Sequence, residues 1–466
     1  MKNRFKIAAT AALAAMLLVA CGNGDNGNGG NDAGTDNGGN GGDTSGLIGG
    51  DRDEVDQGAG DDATVLQFLT FVGMHATFME EMAYHWNELN PDRQIILESR
   101  QLGWADMHTD ALLAIETGID IPDIIDIEIG RFSDFVRGAH GLYDLTPYAA
   151  PFRADLVEAR LELYTRNGQL FGAPTHVGAT LAFYNVPLLE EADIDWQSIA
   201  TWDDFEAAGI AFAEATGNCF GTADTSASWQ THLLVAQHGG DYVAADGTLT
   251  MTSDAVVAAV ETQQRLAASG AQCPIPGGQP DNTEAFGAIN NGDFAALIMP
   301  MWYMSRFLDQ MPELSGQIAI AAPPQLPNGA VATVGGGGTG TAVSAASEHR
   351  ELAAEFVAFA KLSPLANVRV WEVLGFDPVN TAVWTDTAVT HNPDIVFNQY
   401  FYNNAFDALN PIADSIGLLE SQKSDAWPII NQLFTTETLI NVLEDGMDVR
   451  AALEQTQGDL DNQLRN

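Results

Sequence analysis

The segment Gly335 to Gly340, GGGGTG, has the G-x-G-x-x-G spacing that cradles a dinucleotide pyrophosphate when a helix N-terminus follows it. Here Thr341 to Ser344 reads as a strand, so that chemistry lapses, and a glycine run allowing close backbone approach to a hinge or ligand fits better. A P-loop needs Gly-Lys-Ser/Thr, but neither Lys361 nor Lys423, the only lysines beyond residue 20, follows a glycine. Ser-x-x-Lys and G-x-S-x-G nucleophile patterns are missing. No His-Glu dipeptide occurs, which excludes the His-Glu-x-x-His zinc helix, and His232 and His238 are six apart, off a common helical face. Carboxylate pairs such as Glu80-Glu81, Glu190-Glu191 and Asp203-Asp204 invite comparison with glycosidase acid pairs. Among 63 Asp and Glu such adjacency carries no information, and solvated helix faces explain it. No catalytic residue, metal or cofactor is assigned.

The same acids set the chain's electrostatics. Over 466 residues, 63 Asp+Glu oppose 19 Lys+Arg, a net charge of −44 that excludes a nucleic-acid-binding surface. The length predicts two or three domains, and 46% hydrophobic residues suffice for packed cores. Lys2, Arg4 and Lys6, then the mainly apolar stretch Ile7 to Ala20 and Cys21, read as a lipoprotein signal peptide at 1–20 with Cys21 lipidated. That stretch falls short of the ~20 residues that span a bilayer. Without it the charge is −47, which self-repels in dilute buffer and is screened in brine. A saline or alkaline habitat is therefore expected: melting temperature should climb through molar NaCl, and a flat or falling curve overturns the idea. Cys219 and Cys273 could form a disulfide outside the cytoplasm or stay buried thiols, and the sequence leaves both open.

Residues 21–62 are nearly all Gly, Asn and Asp and read as a flexible tether. Beyond it, apolar runs of strand length alternate with helices. Val65 to Phe71, Gln94 to Glu98 and Asp123 to Ile129 read as strands. Between them lie a helix carrying Phe78, Met82, Trp86 and Leu89 on one face and another from Asp106 to Thr117, closed by Gly118. Thr201 and Ser253 cap later helices, Ala295 to Met299 and Gln317 to Ala321 supply strands, and the chain from Pro393 looks mainly helical. Alternation predicts an α/β fold with mainly parallel sheets flanked by helices, and about 400 residues suit two lobes with ligand at the strands' carboxyl ends.

The segments FVGMHATFMEEMAYHWNELNP (Phe71 to Pro91) and PDIIDIEIGRF (Pro122 to Phe132) resemble the N-terminal lobe of family 1 extracellular solute-binding proteins. AFYN from Ala182, TWDDF from Thr201, NGDFAA from Asn291 and GGGGTGTAV from Gly335 extend the likeness. FAKLS from Phe359 and WEVLGFDPV from Trp371 are similar to the lactose and L-arabinose class of sugar-binding lipoproteins. The resemblance implies a type II periplasmic-binding-protein-like fold whose hinged lobes close on a carbohydrate and deliver it to the permease subunits of an ABC importer. It implies lobe 1 at 63–175, lobe 2 at 176–333, a return to lobe 1 at 334–375, and a mainly helical segment at 376–466 chiefly in lobe 2. The crossings should lie near Pro174 to Gly178, near Val334 to Gly337 and after Trp371.

Neutral sugars need polar side chains interleaved with aromatic rings. Strand-end positions and the resemblance together nominate His75, Glu128 and Arg131 in the first lobe, faced by Trp229, Trp302 and Tyr303. Gly336 and Gly337 would approach by backbone, Asp377 would accept sugar hydroxyls, and Trp427 is placed by analogy with a late aromatic. A lipid-anchored, non-catalytic monomer on the outer face of the cell membrane, extracellular or periplasmic, is expected. The alternatives are a glycan-degrading lipoprotein and a binding protein for glycerol phosphate, polyamine or iron.

Overall fold

A computed structural model describes residues 55–137 and 141–464. The signal peptide, Cys21 and the tether up to residue 54 lie outside the described residues. Ten strands build the core: β1 (Thr64–Thr70), β2 (Ile95–Gln101), β3 (Ile124–Glu128), β4 (Ala173–Pro174), β5 (Thr180–Asn185), β6 (Cys219–Ala223), β7 (Gln272–Pro274), β8 (Phe294–Pro300), β9 (Ile318–Ala321) and β10 (Thr339–Val343). They form two five-stranded sheets, β2-β1-β3-β10-β4 and β9-β5-β8-β6-β7, each the centre of one lobe.

Each sheet is mixed, where alternation predicts mainly parallel pairing. β1 runs parallel to β2 and β3, and β6 runs parallel to β7 and β8. β10 is antiparallel to β3 and β4, and β5 is antiparallel to β8 and β9. The antiparallel strands β5 and β10 are those that enter a sheet directly from the other lobe. No crossover helix within their own sheet precedes them, so nothing imposes the parallel sense.

The helices follow local rules. α1 (Gly73–Leu89) buries Phe78, Met82 and Trp86 on the face toward the first sheet, whereas Leu89, its last residue, is 66% exposed. α2 (Trp104–Thr117) stops at Gly118, whose φ of 73° suits a residue without Cβ. α3 (Ile129–Phe135) starts where β3 ends. α4 (Trp202–Thr216) carries a capping box of Thr201 with Asp204, and α5 (Trp229–Gln237) follows β6. Ser253 caps the helix Asp254–Ala268. Cys219 and Cys273, at adjacent strands β6 and β7, are joined as a disulfide with Cα atoms 5.9 Å apart.

Between β4 and β5 the chain passes from the first sheet to the second, and before β10 it returns. These two passages lie side by side: Ala179 bridges Gly335, and Gly336 N donates to Gly178 O at 2.9 Å. Asp377 ties in a third segment. Its buried carboxylate accepts Gly178 N at 2.9 Å and Ala179 N at 2.7 Å, and its carbonyl accepts Val177 N at 3.0 Å. The Gly336 approach needs glycine, since a Cβ there would sit 2.6 Å from Pro300 Cγ.

Candidate functional site

At the carboxyl ends of the strands, residues of both lobes line a cleft whose empty space, open solvent included, is about 590 Å³. Phe71, Val72, Met74 and His75, where β1 turns into α1, line it with Glu128 at the end of β3. His176, Gly337, Gly338 and Phe376 line it beside the interlobe passages, and Trp229, Asp281, Trp302 and Arg306 close it from the second lobe.

The aromatic walls are fixed by their own contacts. Trp302 Nε1 donates to Gly336 O at 2.9 Å, and its ring meets Trp229 edge-on with centroids 5.5 Å apart. The Arg306 guanidinium lies 5.2 Å from the Trp302 ring centre and is held by Asp281 through Nε at 2.8 Å and Nη2 at 3.3 Å. This gives an angled aromatic wall with a half-buried, hydrogen-bonded cation resting over the Trp302 ring, a setting suited to a ligand with C–H faces and hydroxyl edges.

Three polar groups on the other side differ in state. Glu128 Oε2 accepts Gly130 N at 2.7 Å, capping α3, and burial pushes its carboxyl up to about 7 against that bond and the charges of Arg160 and Arg131. His75 Nδ1 meets Asp126 Oδ2 at 3.1 Å, and burial lowers its pKa. His176 packs its ring against Phe376, tilted, with centroids 4.6 Å apart and both its ring nitrogens buried and unpartnered, and burial, then Arg160, hold its pKa well below the ordinary value. Trp229 Nε1 is likewise buried without a partner.

An imidazole with no hydrogen bonds in a buried site is costly in the ligand-free protein. His176→Phe, which keeps a ring against Phe376, is therefore expected to raise the ligand-free unfolding free energy by about 1–2 kcal/mol in urea titrations. Destabilisation by that much would show that the imidazole is satisfied.

A second test concerns Asp224, just past β6. Its Oδ1 has no partner, and burial pushes its carboxyl up to about 7 from 3.8, opposed by one Thr222 bond. Between those values the folded state holds a proton that the unfolded state has released, so stability falls as pH rises through that window. Asp224→Asn removes this loss. Its gain in unfolding free energy should be about 2–3 kcal/mol larger at pH 8 than at pH 5; equal gains would contradict the assignment.

Of the residues nominated from sequence, His75, Glu128, Trp229, Trp302 and Gly337 share the cavity wall. The others lie elsewhere. Arg131, one turn into α3, pairs with Asp134 at 2.9 Å and covers the Trp104 ring at 5.6 Å. Tyr303 is fully buried and donates to Pro280 O at 2.9 Å. Gly336 bonds Trp302 through its carbonyl, and Asp377 is engaged by backbone amides. Trp427 packs in the second-lobe core against His232 and Tyr242, at 5.2 and 5.9 Å. His176, Asp281, Arg306 and Phe376 were not nominated; a histidine in the first interlobe passage was the available signal, and the pair Asp281–Arg306, 25 residues apart, offered none. Among the described residues no group of three or more His, Cys, Asp and Glu is placed to hold a metal.

Two α/β lobes, joined by several passages around an aromatic and polar cleft, define the architecture of a two-lobed binding protein. The bacterial extracellular solute-binding protein pattern matches residues 72–363, and the chain belongs to that family. The arabinooligosaccharide-binding protein of Halalkalibacterium halodurans is 37% identical over 388 residues, 82% of this chain and 86% of that one. The arabinooligosaccharide-binding protein of Bacillus subtilis is 36% identical over 403 residues, 85% of this chain and 92% of that one. The solved structure of the sugar-binding protein MalE from Xanthomonas citri shares the fold at a TM-score of 0.72 and 19% identity, covering 86% of this chain and 97% of that one. The family and these relatives are binding proteins.

Proposed function

We propose that this chain captures a neutral sugar or short oligosaccharide, of arabino-oligosaccharide class, between its lobes and hands it to an ABC importer. The observation that carries the reading is the cavity itself, with Trp302, Trp229 and Phe376 as faces and buried polar groups between them. Rings supply contact area to C–H faces, and the hydrogen-bonding groups read hydroxyls. The two relatives named for arabino-oligosaccharides, at 37% and 36% identity, support the ligand class. A lipid on Cys21 with the tether behind it would keep the monomeric receptor at the outer membrane face near its permease, without catalytic turnover.

The test is thermal shift and calorimetry of the purified protein with arabinotriose, lactose, maltodextrins and xylo-oligosaccharides, with glycerol phosphate and spermidine as contrasts. A shift with one sugar class and no product by chromatography supports the reading. No shift with any sugar, or turnover, sinks it.

A further inference from the structure

Beneath His75 lies a buried polar cluster that sugar capture as such does not require. Asp126 on β3 is fully buried and accepts three hydrogen bonds: from Thr70 Oγ1 at 3.0 Å, Thr341 Oγ1 at 2.6 Å and His75 Nδ1 at 3.1 Å. Burial alone would raise its pKa, but the Lys361 charge, followed by the His75 and Thr341 bonds, outweighs it and holds the carboxyl below its usual range. Lys361 is itself fully buried and donates to Thr175 Oγ1 at 3.0 Å. One of only two lysines beyond residue 20 is thus spent under the cleft floor.

An ionised carboxylate can only accept, so the imidazole proton shared with Asp126 is on Nδ1. A neutral imidazole with Nδ1–H carries a bare lone pair on Nε2. No hydrogen bond among the described residues engages that nitrogen, and His75 lines the cavity. We propose that His75 is a specificity-determining acceptor that requires a free hydroxyl on the bound sugar at this point, with Asp126 as the positioning residue that fixes its tautomer. The inference rests on the sugar-capture reading and narrows it. A hydroxyl donates to the lone pair, whereas a ring oxygen, a glycosidic oxygen or an O-methyl or O-acyl group meets it with lone pairs or bulk. The ligand class is therefore a sugar whose hydroxyl facing His75 is unsubstituted.

The experiment is calorimetric titration of arabinotriose into the purified wild type, His75→Phe, His75→Gln and Asp126→Asn, with ¹⁵N NMR of the histidine side chains. In the free wild type, His75 Nε2 should give the signal of an unprotonated ring nitrogen and shift on binding. His75→Phe should lose roughly 10- to 100-fold in affinity, and His75→Gln, which offers a carbonyl acceptor, should recover part of it. Asp126→Asn, whose amide can donate to Nδ1, should protonate Nε2 and weaken binding similarly. If that variant does not fold, the His75 variants and the wild-type NMR decide. Wild type that binds no sugar defeats sugar capture itself. Wild type that binds arabinotriose while His75→Phe matches it, or with Nε2 already protonated or unmoved on binding, overturns this inference and leaves sugar capture standing.

Discussion

Lys361→Met is expected to lower the unfolding free energy by about 3–5 kcal/mol at pH 8, because it leaves the Asp126 carboxylate buried without its cation. In the wild type the ammonium is the largest of the groups that keep this carboxyl ionised against burial. Methionine matches the length of the stem but supplies neither charge nor the bond to Thr175. The pH dependence separates this cause from lost packing. A carboxyl with a depressed folded pKa contributes stability above its unfolded value of 3.8, lost as pH falls through the folded value. In the variant, burial acts without the ammonium opposing it and the folded pKa rises, so the stability that the ionised carboxylate contributes in the wild type is lost from a higher pH. The deficit should therefore be largest at pH 8 and shrink toward pH 4 in urea titrations. A pH-independent deficit would mean that Lys361 acts by packing alone.

Such a buried pair shows where sequence reading runs out. Caps, turns and strand-length apolar runs are local, and they were legible: Thr201 with Asp204, Ser253 and Gly118 end or begin helices where the residue types indicate. Strand order is not local, and the antiparallel entry of β5 and β10 depends on the chain changing lobes. In the candidate site the strand-end rule located backbone, and it brought His75, Glu128, Trp229 and Trp302 to one cavity. It carries no information on which way a side chain turns. Arg131 lies three residues past Glu128 yet turns to Asp134, and Tyr303 adjoins Trp302 yet points into the core. His176 and Phe376 lie in irregular segments between the lobes, where no periodicity marks a face.

Trp302→Ala is expected to weaken arabinotriose binding by about 2–4 kcal/mol, a loss of roughly 30- to 1,000-fold in Kd by calorimetry. The ring is one wall of the cavity, so truncation removes the apolar face a sugar would lie on. Two supports fail with it. Gly336 O loses its 2.9 Å donor, and the Arg306–Asp281 pair loses the surface on which the guanidinium rests. The Gly336 contact also reaches beyond the wall, since Gly336 belongs to the return passage and Trp302 to the second lobe: their bond ties one wall of the cleft to the interlobe passage. Trp302→Phe keeps a face but no N–H, and should fall between wild type and alanine, near a tenfold loss. Circular dichroism on the same samples separates lost affinity from lost fold. If folded Trp302→Ala binds within threefold of wild type, the ring is a packing residue, and the sugar's apolar contact must come from Trp229 and Phe376 on the remaining walls.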